Sequence, residues 1–83
     1  MRFLDQLIYA CEQQHISIVK LLIEYNVDIH SQTRKNGWTP LHYASDSCNF
    51  DLVKLLLLNG ADKQIKDNYN RTPYDIALKK KNC

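Results

Sequence analysis

Gly37 to Ser47 reads GWTPLHYASDS, and 33 residues later Asn70 to Lys80 reads NRTPYDIALKK, so that Thr39-Pro40 falls on Thr72-Pro73 and Ala44 on Ala77. Threonine before proline has a local meaning. A threonine hydroxyl accepts from the unpaired N–H groups of a first helical turn, and proline suits the first helical position, where its missing N–H costs nothing. The stretch therefore predicts a short helix from about Pro40 to Ser47, and its recurrence predicts the same start at Thr72.

Working outward, an offset of 34 places Leu7, Tyr9 and Ala10 on Leu41, Tyr43 and Ala44. The same offset places Val19-Lys20-Leu21-Leu22 on Val53-Lys54-Leu55-Leu56, and Asp28 on Asp62. The extra residue lies in the connection SQTRKNGW (Ser31 to Trp38), where an insertion is least disruptive. One domain of 83 residues thus divides into units of about 3–36, 37–69 and 70–83, the last stopping after its first helix.

The units share local chemistry. Asn49 and Asp51 restart the chain into a second helix, FDLVKLLLLNG (Phe50 to Gly60), which Gly60 ends because a positive φ is cheap for glycine. Asp62 to Arg71 is rich in turn formers. Asn70 stands where the second unit has Gly37, and asparagine is the next most tolerant residue of a left-handed backbone. Asp5 takes the threonine position of the first unit, again as a capping residue.

TPLHYA (Thr39 to Ala44), VKLLLLNGAD (Val53 to Asp62) and TPYDIA (Thr72 to Ala77) resemble ankyrin repeats, over nearly the whole chain from Phe3 to Lys81. The resemblance implies an all-α fold, a solenoid of stacked antiparallel helix pairs with β-hairpin-like connecting loops. It also implies that His42, the histidine of TPLH, bonds the threonine before it and bridges to the next unit. Asp75 stands at that position in the third unit and puts a bridge there in question. His15 matches a histidine that many repeats carry at the start of the second helix, with a structural role.

Composition sets the outer bounds. The chain is 45% apolar and 24% charged, the balance of a folded protein rather than a disordered one. The apolar run Leu55 to Leu58 is far short of the roughly 20 residues of a membrane span. Asp5 and Glu12 interrupt the apolar N-terminus and make it a poor signal peptide. A net charge of +2 does not imply nucleic acid, and Lys79-Lys80-Lys81 reads as a solvated helix end. Cys11, Cys48 and Cys83 are odd in number and widely spaced, which is no disulfide framework and favours an intracellular, cytoplasmic setting.

Chemistry is mostly absent from the sequence. Cys11 and His15, four apart, would share a helical face, but two ligands do not make a zinc site, even with Cys48 in the matching unit. The same pair lacks a third, orienting residue for nucleophilic catalysis. No glycine-rich phosphate loop, HExxH, GxSxG or acidic calcium loop occurs. The expectation is a non-enzyme with no metal or cofactor.

What the resemblance implies instead is a protein-binding adaptor or scaffold, using loop tips and the exposed side of the first helices. Carried onto this chain, the tips are Arg34, Lys35, Asn36 and Trp38, then Asn68, Tyr69 and Arg71. The helix positions are Glu12 and Gln13, Asp46 and Ser47, and Lys79 and Lys80. Tryptophan, tyrosine and arginine are the residues most enriched at interface hot spots. Trp38 has two readings, a partner anchor or a cover for its own hairpin; Tyr69 and Arg71 are expected to be exposed, and Asp46 and Ser47 could simply finish their helix.

Leu58, matched by Glu24 in the first unit, is expected to face solvent on the convex side. The third unit lacks a second helix, so an apolar edge near Leu52, Leu56, Ile76 and Leu78 is expected to be poorly covered and open to self-association. So few units point to a piece of a longer protein. His42 to Leu57 (HYASDSCNFDLVKLLL) is similar to the ankyrin tails of some acyl-CoA-binding proteins, which implies an acyl-CoA site outside this chain.

Overall fold

The computed structural model describes residues 3–80, with side-chain surroundings from residue 6 to residue 80. Five helices follow one another: α1 (Phe3–Glu12), α2 (Ile16–Glu24), α3 (Pro40–Asp46), α4 (Phe50–Leu58) and α5 (Pro73–Leu78). Each second helix packs on its first, α2 on α1 and α4 on α3, and α3 lies between α1 and α5. The first helices thus form one layer, and no residue among those described is in a strand.

The Thr-Pro pairs start helices as their chemistry dictates. Thr39 and Thr72 are extended N-caps whose side chains accept from His42 N–H and Asp75 N–H, three residues on. In return His42 Nδ1 accepts from Thr39 N–H at 3.1 Å, and Asp75 Oδ2 from Thr72 N–H at 2.9 Å, closing a capping box at both helices. Asn49 caps α4 by accepting from Leu52 N–H at 3.2 Å, and its amide donates to Gln14 Oε1 of the preceding unit at 3.1 Å. His15 is the N-cap of α2 but makes no side-chain capping bond.

Four helices end alike. After α4, Gly60 N–H donates to Leu57 O and Ala61 N–H to Leu56 O, the paired bonds of a Schellman motif with Gly60 at φ 90°. Gln14, Asn26 and Cys48 occupy the same place after α1, α2 and α3, at φ 60°, 60° and 56°. Only Gly60 among the four tolerates that conformation freely. Asn70, at φ 64°, matches Gly37 at 74° as its position suggested.

The core is a single cluster drawn from the first two units: Leu7, Ala10, Cys11, Val19, Leu22, Leu41, Ala44, Leu52 and Leu56. Several expectations are corrected by it. Leu52 and Leu56 are fully buried because they belong to this core of the first two units, and Ile76 is nearly so on α5, which packs on α3; of the four residues expected at an open edge only Leu78 is exposed. The apolar opening lies elsewhere, in a groove of about 210 Å³ lined by Phe50, Val53 and Leu57 of α4 and by Pro73, Tyr74 and Ala77 of α5. Asp5 falls inside the first turns of α1, which starts at Phe3, rather than at its cap. Cys11 and His15 do not share a helical face, because the chain turns at Gln14 between them. Cys11 is a free thiol, whereas Cys48 is disulfide-bonded, contrary to the reading of no disulfide framework. Leu58 is exposed, as its counterpart Glu24 suggested.

Candidate partner-binding ridge

Two turns project from the first-helix layer. In the earlier one Thr33 N–H donates to Trp38 O and Gly37 N–H to Thr33 O; in the later one Asp67 N–H donates to Arg71 O and Asn70 N–H to Asp67 O. Asn68 N–H donates to Asn36 O at 2.9 Å and ties one tip to the other. Gly37 is needed at this junction, since a Cβ there would lie 2.4 Å from Asn68 Oδ1 and 2.9 Å from Asn68 N. Gln32 adds a second tie, its amide donating to Gly37 O and to Lys66 O.

His42 anchors this structure from beneath. It is completely buried. Its Nδ1 accepts from Thr39 N–H, so the ring proton sits on Nε2, which donates to Arg71 O at 2.9 Å. The bridge implied for His42 is therefore present, between the start of α3 and the end of the following turn. Asp75 closes only the local capping box, with both bonds directed to its own Thr72.

Asp67 organises the surface above. Its Oδ1 accepts from Tyr69 N–H and Arg71 N–H, both at 2.9 Å. Its Oδ2 accepts from Trp38 Nε1 at 3.0 Å and from Arg71 Nε at 2.9 Å, and lies 2.9 Å from Arg71 Nη2. Burial opposes ionisation here, but the Arg71, Tyr69 and Trp38 donors outweigh it and hold the carboxyl at about 2, below its ordinary 3.8. Thr72 likewise lowers Asp75 through its N–H and hydroxyl.

The expected site residues divide accordingly. Arg34, Lys35, Asn68, Tyr69, Lys79 and Lys80 are exposed. Asn36 is half-buried, its Oδ1 accepting from the Thr33 hydroxyl and from Trp38 N–H. Trp38 covers its own unit: the ring stacks on His42 at 6.0 Å and packs at a steep angle against Tyr43 at 4.9 Å, while part of it remains at the surface. Arg71 departs from expectation, with its side chain only 29% exposed and directed at Asp67. Its guanidinium also lies 5.2 Å from the Tyr69 ring centre, within cation–π range. The Ser47 hydroxyl serves its own helix, shared between Tyr43 O and Ala44 O. Asp46 pairs with Lys80 at 3.1 Å. Trp38, Asp46, Arg71, Lys79 and Lys80, with Ile76, line one cleft of about 250 Å³.

In the sequence Asp67 is one turn former among several between Asp62 and Arg71. The signal available was its spacing from Tyr69 and Arg71, which fits an aspartate side chain closing its own turn; nothing local pointed to Trp38, 29 residues away. The Cys11 thiol, offered as a possible nucleophile, is buried, and burial pushes it up to about 12.

Stacked helix pairs with tied turns along one edge define a repeat solenoid of the protein-binding class. The family model described as ankyrin repeats (3 copies) matches residues 5–67, and the chain belongs to the ankyrin-repeat family, whose repeats are protein–protein interaction modules. Among curated relatives, it is 35% identical over 71 residues to the human 2-5A-dependent ribonuclease, covering 86% of this chain and 10% of that protein. It is 48% identical over 64 residues to the putative ankyrin repeat protein FPV245 of fowlpox virus, covering 76% and 14%. It is 42% identical over 76 residues to I-Kappa-B like protein G2 of Microplitis demolitor bracovirus, covering 88% and 45%. The chain thus spans less than half the length of each of these relatives.

Proposed function

We propose that this chain is an adaptor or scaffold module whose partner protein docks along the ridge formed by Arg34, Lys35, Asn36, Trp38, Asn68, Tyr69 and Arg71 and by Asp46, Ser47, Lys79 and Lys80 at the helix ends. One observation carries the reading: a buried carboxylate, Asp67, holds Trp38, Tyr69 and Arg71 together at the surface. These are the residue types that dominate interface energetics. Of the remaining site residues, Arg34, Lys35, Asn68, Lys79 and Lys80 are exposed.

The test is capture from cell lysate by three forms of the domain, each shown by circular dichroism to be folded. The ridge variant combines Arg34→Ala, Lys35→Ala and Tyr69→Ala, which are exposed; the control is Leu58→Ser on the other side. A partner retained by the unmodified chain and by Leu58→Ser, and lost from the ridge variant, supports the reading. Equal capture by all three forms sinks it.

A second reading is that the chain is an accessory part of a larger enzyme or ligand carrier, an acyl-CoA-binding protein for example, with the chemistry outside it. The match to a tenth of a ribonuclease favours this arrangement in general. Direct acyl-CoA binding by these 83 residues in equilibrium dialysis would contradict it.

A further inference from the structure

We infer that the cleft beside Trp38 receives an acidic side chain, so that the partner's docking segment is an acidic peptide carrying an apolar residue. This rests on the protein-binding reading of the ridge and adds the partner's chemistry to it.

Charge is the first argument. The cleft is lined by Arg71, Lys79 and Lys80 and by one carboxylate, Asp46; beside it Asp75, lowered first by Thr72 and then by the Lys66 and Lys79 charges, faces the lysines without lining the cleft. Arg34 and Lys35 on the earlier turn and Lys66 at the base of the later one extend the same sign along the ridge. Asp67 is spent beneath the surface, where Arg71 Nε and Nη2 both address it; Nη1 is left for another oxygen. A guanidinium fixed in this way meets a carboxylate at a defined position, with Lys79 and Lys80 close by.

Asp46 is the second argument, because it already models the ligand. It holds Lys80 at 3.1 Å, with the two side chains 45% and 39% exposed for Lys80 and Asp46 respectively. An ion pair so exposed contributes little and exchanges readily. An incoming carboxylate reaches Lys79 and Arg71 as well and competes with Asp46 for Lys80. Trp38 and Ile76 supply the apolar wall for the neighbouring residue.

The geometry favours a peptide over a nucleic acid. A base stacked on Trp38 needs a free face of that ring, and one face already lies against His42 while Tyr43 crowds the ring at 4.9 Å. A cleft of about 250 Å³ suits one acidic side chain and its neighbour.

Trp38 is the one tryptophan of the chain, so its fluorescence reports the cleft directly. The probe is a blocked peptide of leucine flanked on each side by glutamates, compared with its glutamine analogue and with oligothymidylate of equal charge. The expected result is a saturable change with the glutamate peptide, weakening severalfold as salt rises. Lys79→Glu with Lys80→Glu is expected to weaken binding by about tenfold or more, and Asp46→Asn to tighten it about threefold by freeing Lys80. No saturable change, equal binding of the glutamine peptide, tighter binding of oligothymidylate, or indifference to both sets of substitutions would each overturn the inference. If the ridge variant loses its lysate partner while the acidic peptide fails to bind, the ridge reading stands and only the partner's chemistry falls. If the ridge variant keeps that partner, the ridge reading itself falls.

Discussion

His42 Nε2 donates to the carbonyl oxygen of Arg71 at 2.9 Å, across 29 residues of sequence. Through that bond the buried cap of α3 holds the turn that carries Tyr69 and Arg71. The two ends of the imidazole do different work, one closing a helix cap and the other joining adjacent units.

Replacing His42 therefore separates two contributions. His42→Ala leaves Thr39 N–H without its side-chain acceptor and Arg71 O with only its bond from Asp67 N–H, and it opens a cavity at a fully buried position. The expected loss is about 2–4 kcal/mol in urea unfolding. His42→Asn, which keeps an acceptor near Thr39 but cannot reach Arg71, is expected to lose less. Equal losses would mean that the cap bond contributes little and that the bond to Arg71 O and the packing of the ring carry the effect.

Asp67→Asn tests the node under the ridge. The substitution turns one acceptor oxygen into a donor facing other donors, Trp38 Nε1–H and the Arg71 side chain. We expect about 2–3 kcal/mol of destabilisation, with Trp38 fluorescence shifted to the red as the ring gains water. An unshifted spectrum would show that the indole is held by His42 and Tyr43 alone.

Acid unfolding follows from the same carboxylate. The folded value of Asp67, about 2, lies below its ordinary 3.8. Its ionised form is thus favoured by folding, and the resulting stability is present above about 4 and is lost as pH falls towards about 2. Asp28, lowered first by His30 N–H, and Asp75, lowered by Thr72, act in the same direction. Urea midpoints of the unmodified chain are expected to fall across this window, and those of Asp67→Asn to fall less steeply. Parallel slopes would remove Asp67 from the account.

The second helices predict a stabilising change. Asn49 caps α4, whereas His15, at the same position before α2, makes no capping bond. His15→Asn is expected to raise stability by about 0.5–1 kcal/mol, the worth of a good cap at an exposed helix start. A melting temperature at or below that of the unmodified chain would show that asparagine does not reach the α2 backbone.

Much of this arrangement was legible in the sequence where a residue's own chemistry decides its conformation. Thr39-Pro40 and Thr72-Pro73 start helices, Gly60 ends one, and Asn70 adopts the left-handed backbone. Gln14 and Cys48 end helices in the same way without any such preference, since packing of the units fixes their backbone. Arg71 looks like an exposed interface residue by type, and only the fold reveals the carboxylate that turns it inward. The edge near Leu52 was misread for a related reason. The third unit has no second helix among the described residues, but Leu52 and Leu56 turn into the core of the first two units, so the apolar surface left exposed is that of Phe50, Leu57 and Tyr74.

The Asp67 node has a consequence for recognition. Side chains that must be immobilised on contact subtract from affinity, by roughly 0.5–1.5 kcal/mol each when they are rotamer-rich. Trp38 and Arg71 surrender that freedom when the domain folds, because the carboxylate beneath them fixes both. On the proposed docking reading, Trp38 and Arg71 would be presented already immobilised, and the ordering cost of the encounter would fall on the exposed side chains around them and on the partner.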